Sequence, residues 1–448
     1  LLVLSYLGSR RQNRLWNIKH QRFLFKRHIT PSITVIAPAY NEEANIEESV
    51  SSLLNLHYPD YEVIVVNDGS KDATLKTVIG AFDLRRQNPT GGGILGTMPV
   101  RGLYVNPAIP NLLVIDKENG GKADSLNAGI NYSSKEYFCG IDADSLLESD
   151  SLLKLVSPFL DSDAESVAAG GNIFPVNGCT VDHGSLRTIG IPGNFMARLQ
   201  TVEYIRSFMG GRIGWARINA LLIISGAFGL FKKDRVIEAG GYLTSRGKFR
   251  KDTVGEDMEL VVRLQRHMSE KKVPYRVHYS HNANCWTEVP ESLSMMHRQR
   301  KRWHRGLLDI ITFHHRLFLN PRYGWTGVLA FPYFVVFEVL GPWLEAQGYL
   351  VFGISVALGF VDPAVLLLLF TGSIALGVLV TVSSFIIIDR QIHSFRFFHL
   401  MRMLGMAVVE NFGIRQVISM MRITGYIGAL RNTRGWGFIQ RKGFTRGS

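Results

Sequence analysis

From Ile33 to Ile141 the chain repeats one unit: a short apolar, β-branched run followed by polar residues at helical spacing. Ile33-Thr-Val-Ile-Ala-Pro-Ala-Tyr40 suits a buried parallel strand. Asn41 to Leu56 has helical spacing, with Asn41 as N-cap and acids at 42, 43, 47 and 48 in the early turns. Tyr61 to Val66 reads as a second strand, and Ser70-Lys-Asp-Ala73 opens a second helix. Strand-helix-strand order implies an α/β fold with a parallel sheet and right-handed crossovers. Residues 87–111, with Gly91-Gly92-Gly93 and four prolines, read as a flexible insertion. Leu112 to Ile115 resumes the sheet, Lys122 to Ile130 is helical, and Tyr137 to Ile141 is a further strand. Beyond it the sequence predicts a strand at Val167 to Ile173, and strand with loop at Ile223 to Phe231. Helices are expected at Asp257 to His267 and, strongly basic, at Glu291 to Phe313. Phe195 to Phe208 reads as an amphipathic helix lying along a membrane face.

The second half of the 448 residues is unlike the first. Thr326 to Ile388 is nearly free of charge, and Val365 to Ile388 has the length of a bilayer span. Gly327 to Phe360 is also apolar but is interrupted by Pro332, Glu338, Pro342 and Glu345. Phe397 to Leu430 carries Arg402, Glu410, Arg415 and Arg422, which suits the interface. Two or three crossings are expected after the α/β part. Leu1-Leu-Val-Leu-Ser-Tyr-Leu7 reads as the end of another span whose beginning lies outside this sequence.

The net charge of +13 collects beside these apolar stretches, at Arg10 to Arg27 and Arg431 to Arg446. That placement favours a membrane surface with a cytoplasmic catalytic part, not nucleic acid. Three isolated cysteines without CxxC spacing fit a reducing compartment. No G-x-G-x-x-G follows the first strand, which argues against a dinucleotide oxidoreductase.

Acids close several of the apolar runs: Asp68 after Val63-Ile-Val-Val-Asn67, and Asp142-Ala-Asp144 after Ile141. Open parallel sheets bind ligands at strand carboxyl ends. Alternation on an extended backbone puts Asp142 and Asp144 on one side. Asp257 follows Glu256 at a helix start, and Gln299-Arg-Lys-Arg302-Trp303 lies in the basic helix. Each feature alone has an ordinary structural use as a helix cap, an acidic turn or a membrane-facing helix. Together they match what sugar transfer from a nucleotide requires: diphosphate neutralisation, acceptor placement and removal of a proton.

With Ala37-Pro-Ala-Tyr-Asn-Glu-Glu43, Val66-Asn-Asp-Gly-Ser70, Lys117-Glu-Asn-Gly-Gly-Lys-Ala-Asp-Ser-Leu-Asn127, Gly255-Glu-Asp257 and the QxxRW box at 299–303, the chain resembles a known family. These are the processive, membrane-embedded family 2 glycosyltransferases: cellulose, chitin, hyaluronan and poly-N-acetylglucosamine synthases. The resemblance covers roughly residues 31–310 and, more loosely, the membrane part. It implies a GT-A fold, a Rossmann-like, mixed, mostly parallel sheet, with transmembrane and interfacial helices. The divisions it implies are 1–30, the end of a transmembrane helix and a basic linker; 31–290, the GT-A domain; 291–324, an interfacial helix with QxxRW; 325–430, transmembrane and interfacial helices; and 431–448, a basic cytoplasmic tail.

By the same resemblance Tyr40, Glu42 and Asp68 hold uracil and ribose, with Lys122 and Asp142 on the donor. Asp144, helped by Asp142, holds Mg2+ or Mn2+ on the diphosphate. Asp257 is the general base, beside Glu256. Gln299, Arg300, Arg302 and Trp303 border the diphosphate and the acceptor sugar, and Ser225 to Phe228 contacts the acceptor end. Gly255 stands where many members have Thr, which puts the local loop geometry in question. The implied activity is inverting transfer from a UDP-sugar to a growing β-linked polysaccharide that is passed across the inner cell membrane. UDP-N-acetylglucosamine is the first choice of donor and UDP-glucose the second, and a small helper subunit is left open. Glu338, Glu345, Glu410 and Asn411 are expected to line a polar path or a helix interface. The rival readings are a non-processive transferase that loads a lipid phosphate carrier, and an inert nucleotide-binding membrane scaffold.

Overall fold

The centre of the molecule is a ten-stranded sheet with strand order β3-β4-β5-β2-β1-β6-β11-β8-β12-β7. The computed structural model describes residues 2–15, 30–89, 93–182, 184–389 and 397–430. In chain order the strands are β1 (Ile33–Ala39), β2 (Tyr61–Asp68), β3 (Arg85–Gln87), β4 (Val100–Val105), β5 (Leu112–Lys117) and β6 (Tyr137–Ile141). They continue with β7 (Ser145–Leu147), β8 (Glu165–Pro175), the hairpin β9 (Thr180–Asp182) and β10 (Ser185–Thr188), β11 (Phe228–Lys232) and β12 (Tyr275–Thr287). The central strands β5, β2, β1 and β6 run parallel, so their carboxyl ends share one edge. Toward both sides the pairing turns antiparallel, which makes the sheet mixed.

The helices are α1 (Leu2–Leu15), α2 (Ile46–Leu54), α3 (Thr74–Ala81), α4 (Lys122–Tyr132), α5 (Ser151–Val156), α6 (Phe195–Ser207), α7 (Ile213–Arg217), α8 (Lys233–Glu238), α9 (Glu256–Glu270) and α10 (Leu293–Phe313). A π-helical turn, Phe208–Arg212, joins α6 to α7. Two expectations are corrected here. The first crossover helix starts at Ile46, not Asn41. Asn41 instead takes a left-handed conformation (φ 56°), and its side chain accepts from the Lys71 N–H at 2.8 Å. The Glu42 N–H donates to Thr74 Oγ1 at 2.8 Å. The five residues after β1 thus knit the β1–α2 loop to the β2–α3 loop. The segment 87–111 is also not simply an insertion. Its described part contains β4, which pairs antiparallel with β5 and β3 and widens the sheet.

After α10 come a bent helical run, Thr326–Val339, then α11 (Gly341–Ala357), α12 (Pro363–Asp389), α13 (Phe397–Val409) and α14 (Ile414–Leu430). Among the described residues one helix, Pro363–Ile386, is long and apolar enough to cross a membrane. At 1.5 Å per residue it reaches about 36 Å, against an apolar bilayer core of about 30 Å. The pair Thr326–Val339 and Gly341–Ala357, bent by 44°, makes a second if taken as one span. The expected basic linker and tail at 16–29 and 431–448 lie outside the described residues.

The apolar helices are tied to the α/β part. α10 packs along α14, with His297 Nε2 2.8 Å from Thr424 Oγ1 and the His304 and Tyr426 rings 4.4 Å apart. α6 packs on α12 and α13, and Arg206 pairs there with the buried Glu410. Glu345 bonds to Tyr349 one turn on in α11 and to Ser419 on α14, and Asn411 bonds to Ala407 O and Arg415. Glu345, Glu410 and Asn411 therefore serve helix interfaces. Glu338 differs, as shown below.

Candidate active site

The carboxyl ends of β1, β2 and β6 open into one cavity of 870 Å³. Its floor is shaped by Asp68, the last residue of β2, which is almost fully buried. The Asp68 carboxylate accepts from Lys117 Nζ at 2.6 Å, Asn119 Nδ2 at 3.1 Å, and the N–H groups of Gly120 and Gly121 at 2.9 and 2.8 Å. The last residue of β5 and three of the four that follow it are thereby folded around one acid. The turn needs Gly69, at φ 66°, because a Cβ there would lie 2.9 Å from the Asn119 nitrogen. Lys117 also pairs with Asp124 at 2.7 Å inside the protein, which fixes the first turn of α4 and so aims Lys122.

Lys122 reaches across the cavity to Asp142, to the Gly226 carbonyl at 3.1 Å and toward Glu256 at 3.7 Å. Burial disfavours its ammonium, but Asp142, Glu256 and Asp257 outweigh burial and raise its pKa. Gly226 connects two functional groups, since its N–H donates to Asp257 Oδ2 at 3.0 Å. The other Asp257 oxygen accepts from Met258 N at 2.8 Å. Glu256 is buried beside it. Burial is the main cause that pushes its carboxyl up to about 7; Lys122 opposes the shift and Asp257 adds to it.

Asp142 and Asp144 both face the cavity but are unequal: Asp144 is 1% exposed, while the Asp142 side chain is 34% exposed and paired with Lys122. Among the described residues no group of three or more His, Cys, Asp or Glu is placed to hold a metal ion. Two carboxylates are nonetheless the donor set that a hard divalent cation uses when substrate phosphates and water complete its shell. The residues present fit such an ion bound together with a diphosphate.

The QxxRW residues enter from α10. Arg300 is buried and already engaged: its guanidinium bonds to Glu203 at 2.6 Å and lies 4.6 Å from the centroid of the Trp303 ring. Its geometry is that of a support for Trp303, which stays 42% exposed at the cavity wall, 6.5 Å from the Tyr204 ring. Arg302 lines the cavity and acts electrostatically on Glu256. The loop question raised by Gly255 has a physical answer. α10 passes so close that a Cβ on Gly306 would sit 2.9 Å from the Gly255 backbone, and one on Gly255 3.1 Å from Gly306 Cα.

Of the residues that the sequence assigns to donor, metal, acceptor or proton transfer, all line this cavity except Phe228. Phe228 is a correction: it opens β11, pairs with Ile141 and is fully buried against Gly171, because the strand places it in the core. Ser225 and Gly226, in the loop before it, do face the cavity. Sequence reading missed Glu203, Tyr204, Phe208 and Arg212 on the other wall, and Arg422 on α14. The i, i+4 spacing of 204, 208 and 212 is the signal that marks one helix face. Glu338 and Arg422, 3.4 Å apart, close the far end of the same cavity among the apolar helices.

A mixed sheet, parallel at its centre and covered by helices, with acids at the strand ends, is the architecture of nucleotide-sugar transferases of the GT-A type. Residues 137–422, well over half of the chain, match the family described as glycosyl transferase family group 2, and residues 34–88 match glycosyl transferase family 2; the chain belongs to this family. It is 26% identical over 280 residues to the poly-beta-1,6-N-acetyl-D-glucosamine synthase of Staphylococcus epidermidis, and 28% identical over 280 residues to that of Staphylococcus aureus. Both matches take in 62% of this chain and 55% of the relative, so the chain spans about half the length of the curated relatives it matches. Among solved structures it is similar to a mannosyltransferase from Pyrobaculum calidifontis in complex with GDP-Man and Mn2+. That likeness has a TM-score of 0.53 and 16% identity over 97% of this chain and 98% of the other, and it shows the fold.

Proposed function

We propose that the protein is a processive, inverting glycosyltransferase of the inner cell membrane that extends a β-linked polysaccharide from a UDP-sugar and passes it across. UDP-N-acetylglucosamine is the donor named first, on the likeness to the two staphylococcal synthases, with UDP-glucose second. The observation that carries the reading is the continuity of one cavity. It runs from the strand-end carboxylates past Asp257 and Trp303 to Glu338 and Arg422 on the apolar helices. A transferase that only charged a small lipid carrier has no need of an acceptor passage of that length.

In this reading Tyr40, Glu42 and the loop folded around Asp68 receive the nucleoside, and Lys122 receives the diphosphate. Asp142 and Asp144 hold Mg2+ or Mn2+, which when bound neutralises charge on the leaving diphosphate. Trp303, held by Arg300 and Glu203, gives the acceptor sugar a flat apolar face. The acceptor hydroxyl oxygen forms a bond to the anomeric carbon as the carbon–phosphate oxygen bond breaks. Its proton passes to Asp257, and the electron pair leaves on UDP. A single displacement turns an α-linked donor into a β-linked product. The catalytic part, residues 31–290, faces the cytoplasm, residues 291–324 lie at the interface, and 325–430 cross or line the bilayer.

The test is to supply membrane vesicles or detergent-purified protein with radiolabelled UDP-N-acetylglucosamine and Mg2+ or Mn2+. UDP release should accompany labelled material of high molecular weight on a sizing column. Label recovered only as a lipid-soluble monosaccharide overturns processivity, and no release from any UDP-sugar overturns the reading.

A further inference from the structure

The wall opposite the strand ends is one face of the helix that runs from α6 through the π turn, and it carries Tyr204, Phe208 and Arg212. The Tyr204 ring lies 5.7 Å from Phe208 and 6.5 Å from Trp303, and the Arg212 guanidinium stacks 3.8 Å from the centroid of Phe208. Trp303, Tyr204 and Phe208 thus form a row of rings along the cavity wall that ends at a cation. Arg212 Nε and Nη1 are shut off from solvent and have no hydrogen-bond partner among the described residues. Leaving such buried donors unpaired is costly. Guanidinium only donates, so an oxygen-bearing ligand that enters the cavity can complete it. Its place in a π turn, a local device often found at functional sites, aims it at the cavity at the expense of regular helix bonding.

Which substrate it meets follows from its neighbours. Lys122 pairs with Asp142 and lies near Glu256, whereas Arg212 stacks on Phe208, which packs against Tyr204. Arg212 is joined through Phe208 and Tyr204 to Trp303, the ring given above to the acceptor sugar. We infer that Arg212, at the end of the Trp303–Tyr204–Phe208 row, is a binding residue for the acceptor glycan, donating to a hydroxyl or amide carbonyl oxygen of a sugar beyond the one being extended. This assignment rests on the polymer-synthase reading above.

Binding separates it from that reading. The full chain in detergent, saturated with UDP, is titrated calorimetrically with a β-1,6-linked N-acetylglucosamine trisaccharide. Arg212→Gln is expected to weaken trisaccharide binding roughly ten-fold or more, the loss of a charge-assisted hydrogen bond. UDP affinity should stay within about two-fold of wild type, since UDP contacts lie across the cavity. Arg212→Lys, which keeps the charge but not the planar stack on Phe208, is expected to recover part of the loss. Should Arg212→Gln lose UDP binding as well, the comparison is made on Arg212→Lys, with weakened trisaccharide and unchanged UDP affinity expected. Equal trisaccharide affinity in wild type and variant, or no trisaccharide binding by wild type, overturns the assignment. Failure of wild type to turn over any UDP-sugar overturns the synthase reading by a different measurement.

Discussion

Asp257 is held by two backbone N–H groups, one from the Ser225–Ala227 loop and one from its own helix. An amide at this position keeps an oxygen to accept one of them, so Asp257→Asn should fold and bind UDP while losing the only base proposed for the acceptor hydroxyl. Transfer is expected to fall about 10²- to 10⁴-fold, with UDP affinity by calorimetry little changed. A rate within a few-fold of wild type removes the assignment. Glu256 yields a pH prediction. Its folded-state pKa lies above the unfolded value, so the folded chain holds the proton up to about 7. The stabilisation from this group is complete at acid pH and is lost as pH rises from the ordinary carboxylate range through neutrality. Thermal unfolding of wild type relative to Glu256→Gln should therefore worsen from pH 5 to pH 8, and a constant difference across that range contradicts the shift. At this scale the sequence makes the acids legible because they end strands or begin a helix. It does not show that Asp68 spends its carboxylate on Lys117, Asn119, Gly120 and Gly121, or that Arg300 is taken by Glu203, since those partners lie about 50 and 97 positions away.

α10 crosses the start of α9 at backbone-to-backbone range. Gly255 and Gly306 have no side chains, which lets the two backbones touch and brings the QxxRW helix against the turn that carries Glu256 and Asp257. Gly306→Ala puts a methyl carbon 2.9 Å from that backbone, where no flexible side chain can give way. It is expected to destabilise the protein by about 1–3 kcal/mol and to lower kcat more than the KM for donor. Both are read from thermal unfolding and UDP release, and an unchanged kcat contradicts a rigid α9–α10 junction. The parallel strands are readable from the sequence, with ends off by a few residues, because buried β-branched runs have few other uses. What resists reading depends on distant pairing: β4 is a strand because β5 offers it an edge, and the first helix starts late because residues 41–43 bond to 70–74. The sequence shows an amphipathic helix at 195–208 but not that it continues through a π turn carrying Arg212 to the cavity, because that turn leaves no mark in the composition.

At the scale of the whole molecule the cavity joins two environments. Its strand end is polar and acidic, and its far end lies between Phe334, Glu338 and Arg422 on helices whose other faces are apolar and exposed. Glu338 and Arg422 are both partly exposed, at 38% and 31% of their side chains, so their 3.4 Å contact adds about 0–1 kcal/mol to stability. A weak pair that faces a solvent-accessible cavity costs little to open, and its charged groups suit the hydroxyls of a passing sugar. If a polymer leaves by this route, Glu338→Gln or Arg422→Gln should act on how far a chain grows more than on how fast UDP is released. The expected result is a clear shift of labelled product to shorter lengths on a sizing column, with a smaller fall in the initial rate and little change in thermal stability. The exchange Glu338→Arg with Arg422→Glu keeps the pair while reversing it, and should return product length toward wild type. Product lengths unchanged in both single variants would place the exit elsewhere, leaving the chemistry at Asp257 untouched.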